Sequence, residues 1–252
     1  MIRRAPPAIV ILASAAVLAP NARAQAPLML PPPPGTNREA PTPKPSPPRP
    51  RPQLTPEQSE RAREEGARLQ RESELERRLM AGGEEGKAAV EHVLTHPDAL
   101  NPLMLTALVQ SLWQRGDRSR AAFWFYIFQS RTRAWSKADD QFASARAAFN
   151  MTLGPPINEW IASDIPAWKA LAARAIAYEK TLPLYPGRPD TMDEARWRDL
   201  VEQERAAYER EFIDVFSSSM MNPDTYYAQR RGNGLYVGPH RDGGAPLPDH
   251  WR

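Results

Sequence analysis

His92 and His96 stand four residues apart, the nearest this 252-residue chain comes to a metal-binding pattern. On a helix that spacing brings two imidazoles to one face, within reach of a single ion. No acid or third histidine at a helpful spacing completes the set. The pair therefore reads as a surface His92 and a His96 at a helix C-terminus, where the helix dipole favours a cation, and no metal is expected. A nucleophile elbow, a phosphate-binding loop, a dinucleotide glycine fingerprint and a zinc-protease helix are absent by inspection. Cysteine is absent too, which removes disulfides, thiol chemistry and a lipid-accepting cysteine. The expectation is a non-enzyme without a cofactor. A carboxylate pair for glycoside hydrolysis depends on spacing in space, so a cell-envelope enzyme acting on wall glycans is the alternative.

The residue types that stand out belong to recognition. Phe123-Trp124-Phe125-Tyr126-Ile127-Phe128 is the densest aromatic run, and Arg131 and Arg133 follow it. Aromatics with arginine carry most interface energy. With Phe125 and Phe128 assigned to packing against Leu105, Leu108 and Leu112, the candidate partner contacts are Phe123, Trp124, Tyr126, Arg131 and Arg133. Tyr226, Tyr227, Arg230 and Arg231 form a second aromatic and basic group. Glu204 falls on the inner line of its helix and is expected to pair with Arg205 or Arg210 at the helix edge.

The elements that must position these residues are helices. Residues 1–24 resemble a secretory signal: a basic start at Arg3 and Arg4, an apolar run from Ala8 to Ala19, and Ala22-Arg23-Ala24 as a small-x-small cleavage site, with Ala26 as the other option. The run is too short to span a bilayer, which needs about 20 residues. A periplasmic location without an integral membrane segment is the expectation. The whole chain has 33 Lys and Arg against 30 Asp and Glu. Losing Arg3, Arg4 and Arg23 with the signal leaves a balance near zero, which argues against nucleic acid. Residues 25–53 are dominated by proline and are expected to be a disordered, semi-rigid tether.

Residues 54–218 read as an all-helical domain. Thr55-Pro56-Glu57-Gln58 is a capping box opening a largely solvated helix to about Met80, ended by Gly82-Gly83. Helices follow over Glu84 to Thr95, Leu103 to Arg115 and Ser119 to Arg133. The last of these is apolar all round, as a helix buried between neighbours or presenting a binding face would be. A fifth helix runs from Asp139 or Asp140 to Leu153, where Gly154-Pro155-Pro156 is expected to break it, leaving one turn over Asn158 to Ala162. A sixth is expected over Pro166 to Leu182 under a Ser163-Asp164 cap, and Thr191 to Glu194 reads as a capping box for a helix ending near Ser218. The Gly/Pro-rich stretch 219–252 is expected to be an irregular tail, largely unfolded or draped on the domain.

Leu105, Leu108, Leu112, Gly116, Ala121, Phe125 and Phe128 resemble one tetratricopeptide-type helical hairpin over about residues 102–135. The run AAFWFY is similar to the related Sel1-like repeats. Val109, Phe128 and Arg133 depart from the pattern, standing where a Gly or Ala, a small residue and a proline are usual. The resemblance implies a helical bundle or a short α-solenoid of antiparallel hairpins that binds proteins or peptides. The function expected is therefore a periplasmic protein-binding scaffold or inhibitor with a protein partner in the cell envelope. An immunity protein against a periplasm-targeted toxin is a second form of the same reading.

Overall fold

The structure is a computed structural model that describes residues 55–97, 100–185, 187–218 and 221–251. The signal-like segment and the whole of the proline-rich one, residues 25–53, lie outside the described residues. The protein is all-α: α1 Pro56–Met80, α2 Gly83–Thr95, α3 Leu105–Gln114, α4 Arg118–Ala138, α5 Asp140–Ile161, α6 Ile165–Thr181, α7 Glu194–Ser217 and α8 Pro223–Gly232. A 3₁₀ turn, Pro102–Met104, leads into α3, and no strand occurs among the described residues.

Two compact units divide the chain, residues 1–65 and residues 66–252. In the first, Thr55 and Gln58 form the reciprocal capping box: the Thr55 amide donates to Gln58 Oε1 at 2.9 Å, and the Gln58 amide to Thr55 Oγ1 at 3.2 Å.

The second unit is organised around α4, which packs against α3, α5, α6 and α7. Helix α3 ends in a glycine turn that returns the chain along itself. The Gly116 amide bonds the Trp113 carbonyl at 3.1 Å and the Asp117 amide bonds Leu112 at 3.0 Å, with Gly116 at φ +78°. This closes a Schellman motif, whose left-handed position suits a residue without a Cβ. Leu105, Leu108 and Leu112 of α3 and Ala121, Phe125 and Phe128 of α4 are all buried.

Helix α5 corrects one expectation, because it continues through Pro155 and Pro156 to Ile161. Two prolines remove the donors that would bond the carbonyls of Met151 and Thr152. Both of those residues are exposed, so water can take the carbonyls. Gly154, without a Cβ, also relieves the crowding that a proline imposes on the residue before it. Apolar residues beyond the prolines, Ile157 and Ile161, are fully buried and hold the continuation in the core.

The caps of α5 and α6 are Asp139 and Asp164, whose side chains accept from backbone amides at 2.7 to 3.0 Å. For α7 the cap is Asp193, accepting from the Arg196 amide at 2.9 Å, and not Thr191. A carboxylate two residues nearer the helix outcompetes the hydroxyl for the same free amides.

Residues 221–251 are ordered against the domain. Asn222 caps α8, accepting from Asp224 and Thr225 amides at 3.1 and 3.3 Å. Beyond α8 an extended strap crosses the domain. The Gly238 amide bonds Ser163 O at 2.9 Å, His240 Nε2 lies 2.8 Å from Ile161 O, and the Ser119 amide donates to Gly243 O at 2.8 Å. That last bond serves the start of α4, where the Asp117 side chain makes no capping bond. Trp251 then enters the core at 1% exposure, beside Phe123, Trp124 and Tyr178. Arg174 holds it there by donating to the carbonyls of Pro248 and Trp251. The part of 219–252 that is described is thus draped on the domain and contributes to its core.

Candidate partner-binding site

Three of the expected contact residues are core residues. Phe123 and Trp124 are fully buried and Tyr126 is 8% exposed, because helices close on every side of α4. Phe123 and Trp124 form an aromatic box with Tyr178 and Trp251 at centroid distances of 5.0 to 6.3 Å. The Tyr126 hydroxyl accepts from the Trp168 indole, and burial pushes its phenol well above the usual range. These rings cannot reach a partner, which corrects the expectation that they project from the hairpin.

Arg131 also points inward, seven residues after Trp124 and on the same face of α4. Its guanidinium lies 3.3 Å from Glu179 and donates to Pro183 O at 2.6 Å. Arg205 of α7 reaches the same Glu179 carboxylate at 2.7 Å, and Ser130 Oγ lies 3.3 Å from it. Glu179 is 1% exposed, so one buried carboxylate joins α4, α6 and α7. Above it Trp135, Tyr185 and Trp197 wall a shallow pocket with room for about one water-sized molecule. That is space for the tip of a side chain.

Arg133 faces α7, where it bonds Glu204 at 3.1 Å and Glu211 at 2.7 and 2.8 Å and lies over the Tyr208 ring at 5.5 Å. Glu204 is therefore paired across helices with Arg133, not along its own helix with Arg205 or Arg210. The two carboxylates outweigh desolvation and hold the Arg133 guanidinium above its ordinary value, while Arg146, half-buried against Gln129 and Thr132, is pushed down by desolvation and by the charge of Arg133.

Of the second expected group, Tyr227 Oη accepts from the Ile165 amide at 2.7 Å at the start of α6, and Tyr226 packs half-buried against the core. Arg230 is buried and donates to the carbonyls of Glu159 at 3.0 Å and Tyr236 at 3.1 Å. Arg231 is exposed. His92 and His96 are exposed with ring centroids 5.4 Å apart, and His96 Nδ1 lies 2.9 Å from its neighbour Thr95 Oγ1. No group of three or more His, Cys, Asp or Glu side chains placed to hold a metal occurs among the described residues. No described helix is long and apolar enough to cross a membrane.

A second partly accessible aromatic cluster lies where the α3–α4 turn, the end of α5 and the strap meet. Trp113 and Trp160 pack edge to face at 6.3 Å, and the His240 ring covers Trp160 at 4.4 Å. Arg118 lies over Trp113 at 5.5 Å, and Arg241 over Tyr236 at 3.7 Å. The Trp160 indole donates to Arg241 O at 2.7 Å, fixing the strap to this face. Trp113, Trp160, His240 and Arg118 are half-buried, and Tyr236 and Arg241 are exposed. One signal for it exists in the sequence: Trp113 follows Leu112 by a single residue and so falls off the Leu105, Leu108, Leu112 line. Nothing local marks His240 or Arg241, which arrive by long-range contact.

No protein-family model matches the chain, and no curated protein or solved structure shows significant similarity to it.

Proposed function

We propose that this is an exported helical protein that binds another protein in the cell envelope, as a scaffold or inhibitor, through the platform of Trp113, Trp160, His240, Arg118 and Arg241. The observation that carries this reading is the platform's composition and build. Half-exposed tryptophans and arginines lying over aromatic rings, from three separate segments, are held by packing and by the Trp160 to Arg241 bond. Aromatics and arginine held in advance lose little freedom on association, which is the condition for an interface hot spot. The shallow pocket at Glu179 agrees with recognition of a protrusion more than with enclosure of a substrate. The tetratricopeptide-like character of α3 and α4 fits the same role, with the recognition face at the turn of the hairpin.

The test is a pull-down from periplasmic extract with the mature protein and with Trp113→Ala and Arg118→Ala forms shown by circular dichroism to be folded. A specific partner retained by the parent and lost by both variants is expected. Equal recovery by all three removes the platform from the reading.

A further inference from the structure

We infer that the strap, residues 235–251, exchanges between two copies of this chain, so that each copy's aromatic box receives the other copy's Trp251. The bonds that seat the strap join it to other elements: Gly238 to Ser163, Gly243 to Ser119, Arg241 to Trp160, Tyr236 to Arg230, and the carbonyls of Pro248 and Trp251 to Arg174. The box is built by Phe123 and Trp124 of α4 and Tyr178 of α6. A second copy carries the same segment, so every one of these contacts is open to it in trans. Only the connection to α8 must change. That connection is the turn Gly232-Asn233-Gly234, exposed throughout, with Gly234 at φ +72° and open space where a Cβ on either glycine would stand. Straightening it gives up the bonds of the Asn233, Gly234 and Leu235 amides to the last carbonyls of α8 and empties no packed site.

The seat is imperfectly matched to the strap. Asp117 Oδ1, Arg120 Nε and Trp124 Nε1 are buried without a hydrogen-bond partner, and all three side chains lie against it. Asp117 meets Gly244, Arg120 lies over the Trp251 ring at 5.8 Å, and Trp124 packs edge to face on that ring at 5.5 Å. Arg120 Nε stands 3.6 Å from Asp117 Oδ2, beyond hydrogen-bond reach. Burying polar atoms unpaired gives back part of what burying the ring gains, and lifting the strap lets water reach them. Asp242, alone among the described non-glycine residues, holds a positive φ of +51°, which lifting also relieves. Release therefore costs less than the burial of Trp251 implies. A released strap reseats in its own copy or in a second one, and the second outcome grows with protein concentration. In the exchanged dimer the platform draws Trp113, Trp160 and Arg118 from one copy and His240 and Arg241 from the other. Exchange requires nothing of the platform's own ligand.

The chain has no cysteine, so introduced ones report their own contacts. A Cβ at Gly243 would lie 3.9 Å from Ser119 Cβ, within the span of a disulfide. Full-length Ser119→Cys and Gly243→Cys forms are mixed, incubated and oxidised, and light scattering follows the mass of the unmodified chain with concentration. The expected result is a dimer whose fraction rises with concentration, and a disulfide from position 119 of one form to position 243 of the other, mapped by mass spectrometry. Gly234→Pro, whose fixed φ excludes the turn, should raise the dimer fraction at least roughly threefold at equal concentration. Adding Trp251→Ala to the Gly243→Cys form should remove the link, because the strap then has no ring to seat. A chain monomeric at every concentration overturns exchange, and so does a dimer that lacks the 119-to-243 link. A link formed equally by the Trp251→Ala form, or a Gly234→Pro form that stays monomeric, overturns it as well.

Discussion

Trp251 and Phe123 stack with ring centroids 5.0 Å apart and planes 16° from parallel, although half the chain lies between them. Trp124 and Tyr178 complete the box, and Arg120 lies over the Trp251 ring at 5.8 Å. The strap is therefore part of the core of the second unit.

Removing that ring tests the point. Trp251→Ala empties a fully buried site and should cost about 3–5 kcal/mol, the range for deleting a large buried aromatic. Trp251→Phe should retain much of this. Urea unfolding followed by circular dichroism reads both, and a midpoint unchanged by Trp251→Ala would show that the strap does not contribute to the core.

Gly244 is where the strap passes directly against the backbone at the start of α4. Its φ is +78°, and a Cβ there would lie 2.7 Å from Asp117 Cα, a backbone atom that cannot swing away. Gly244→Ala should lift the strap from the start of α4, raising proteolytic cleavage between residues 233 and 251 and weakening partner binding through loss of His240 and Arg241. Gly232→Ala, where a Cβ meets open space, is the control and should leave cleavage unchanged.

Glu179 holds two guanidiniums at once. Glu179→Ala leaves the buried Arg131 and the half-buried Arg205 without their shared carboxylate, and the expected loss is about 3 kcal/mol. In a double-mutant cycle with Arg205→Met the two effects should be strongly non-additive, because each removes the same interaction. Additive losses would show that the carboxylate and Arg205 act independently.

Asp117 sets a pH dependence of known sign. Burial raises its carboxyl above the ordinary value, against the attraction of Arg120, and its Oδ1 is buried with no hydrogen-bond partner. A raised native value means the folded state binds the proton more tightly. The favourable contribution is then present below the unfolded carboxyl's pKa and is lost as pH rises through the higher folded one. Asp117→Asn should be the more stable form at pH 7, with the advantage shrinking as pH falls through the carboxylate range. Thermal melts of both forms across that range measure it, and a constant difference would contradict the assignment.

How much of this was legible in the sequence follows from how local each determinant is. The Leu105, Leu108, Leu112 line, the Gly116 turn and the Asp139 and Asp164 caps act within a few residues, and each element they specify is present. Pro155 and Pro156 misled because the cost of a helical proline depends on whether its orphaned carbonyls reach water, a tertiary property. The aromatic run on α4 could be read as apolar all round, but which rings face outward depends on how many helices surround it. Arg131 and Arg133 illustrate the same limit: two residues apart, they turn to different helices and meet Glu179 and Glu204, neither of which marks its partner in the sequence. The strap carries no periodic pattern at all, since it is held by backbone carbonyls and one inserted ring.

The bond from Ser119 to Gly243 O has a consequence for biogenesis. The helix at the centre of the second unit receives its N-terminal cap from a residue made more than a hundred positions later, and the box around Phe123 closes only when residue 251 arrives. A chain still emerging from the ribosome carries α3 to α7 with an open aromatic cavity and an uncapped central helix. Native closure thus waits until residue 251 has been added, and until then the centre of the second unit lacks part of its core.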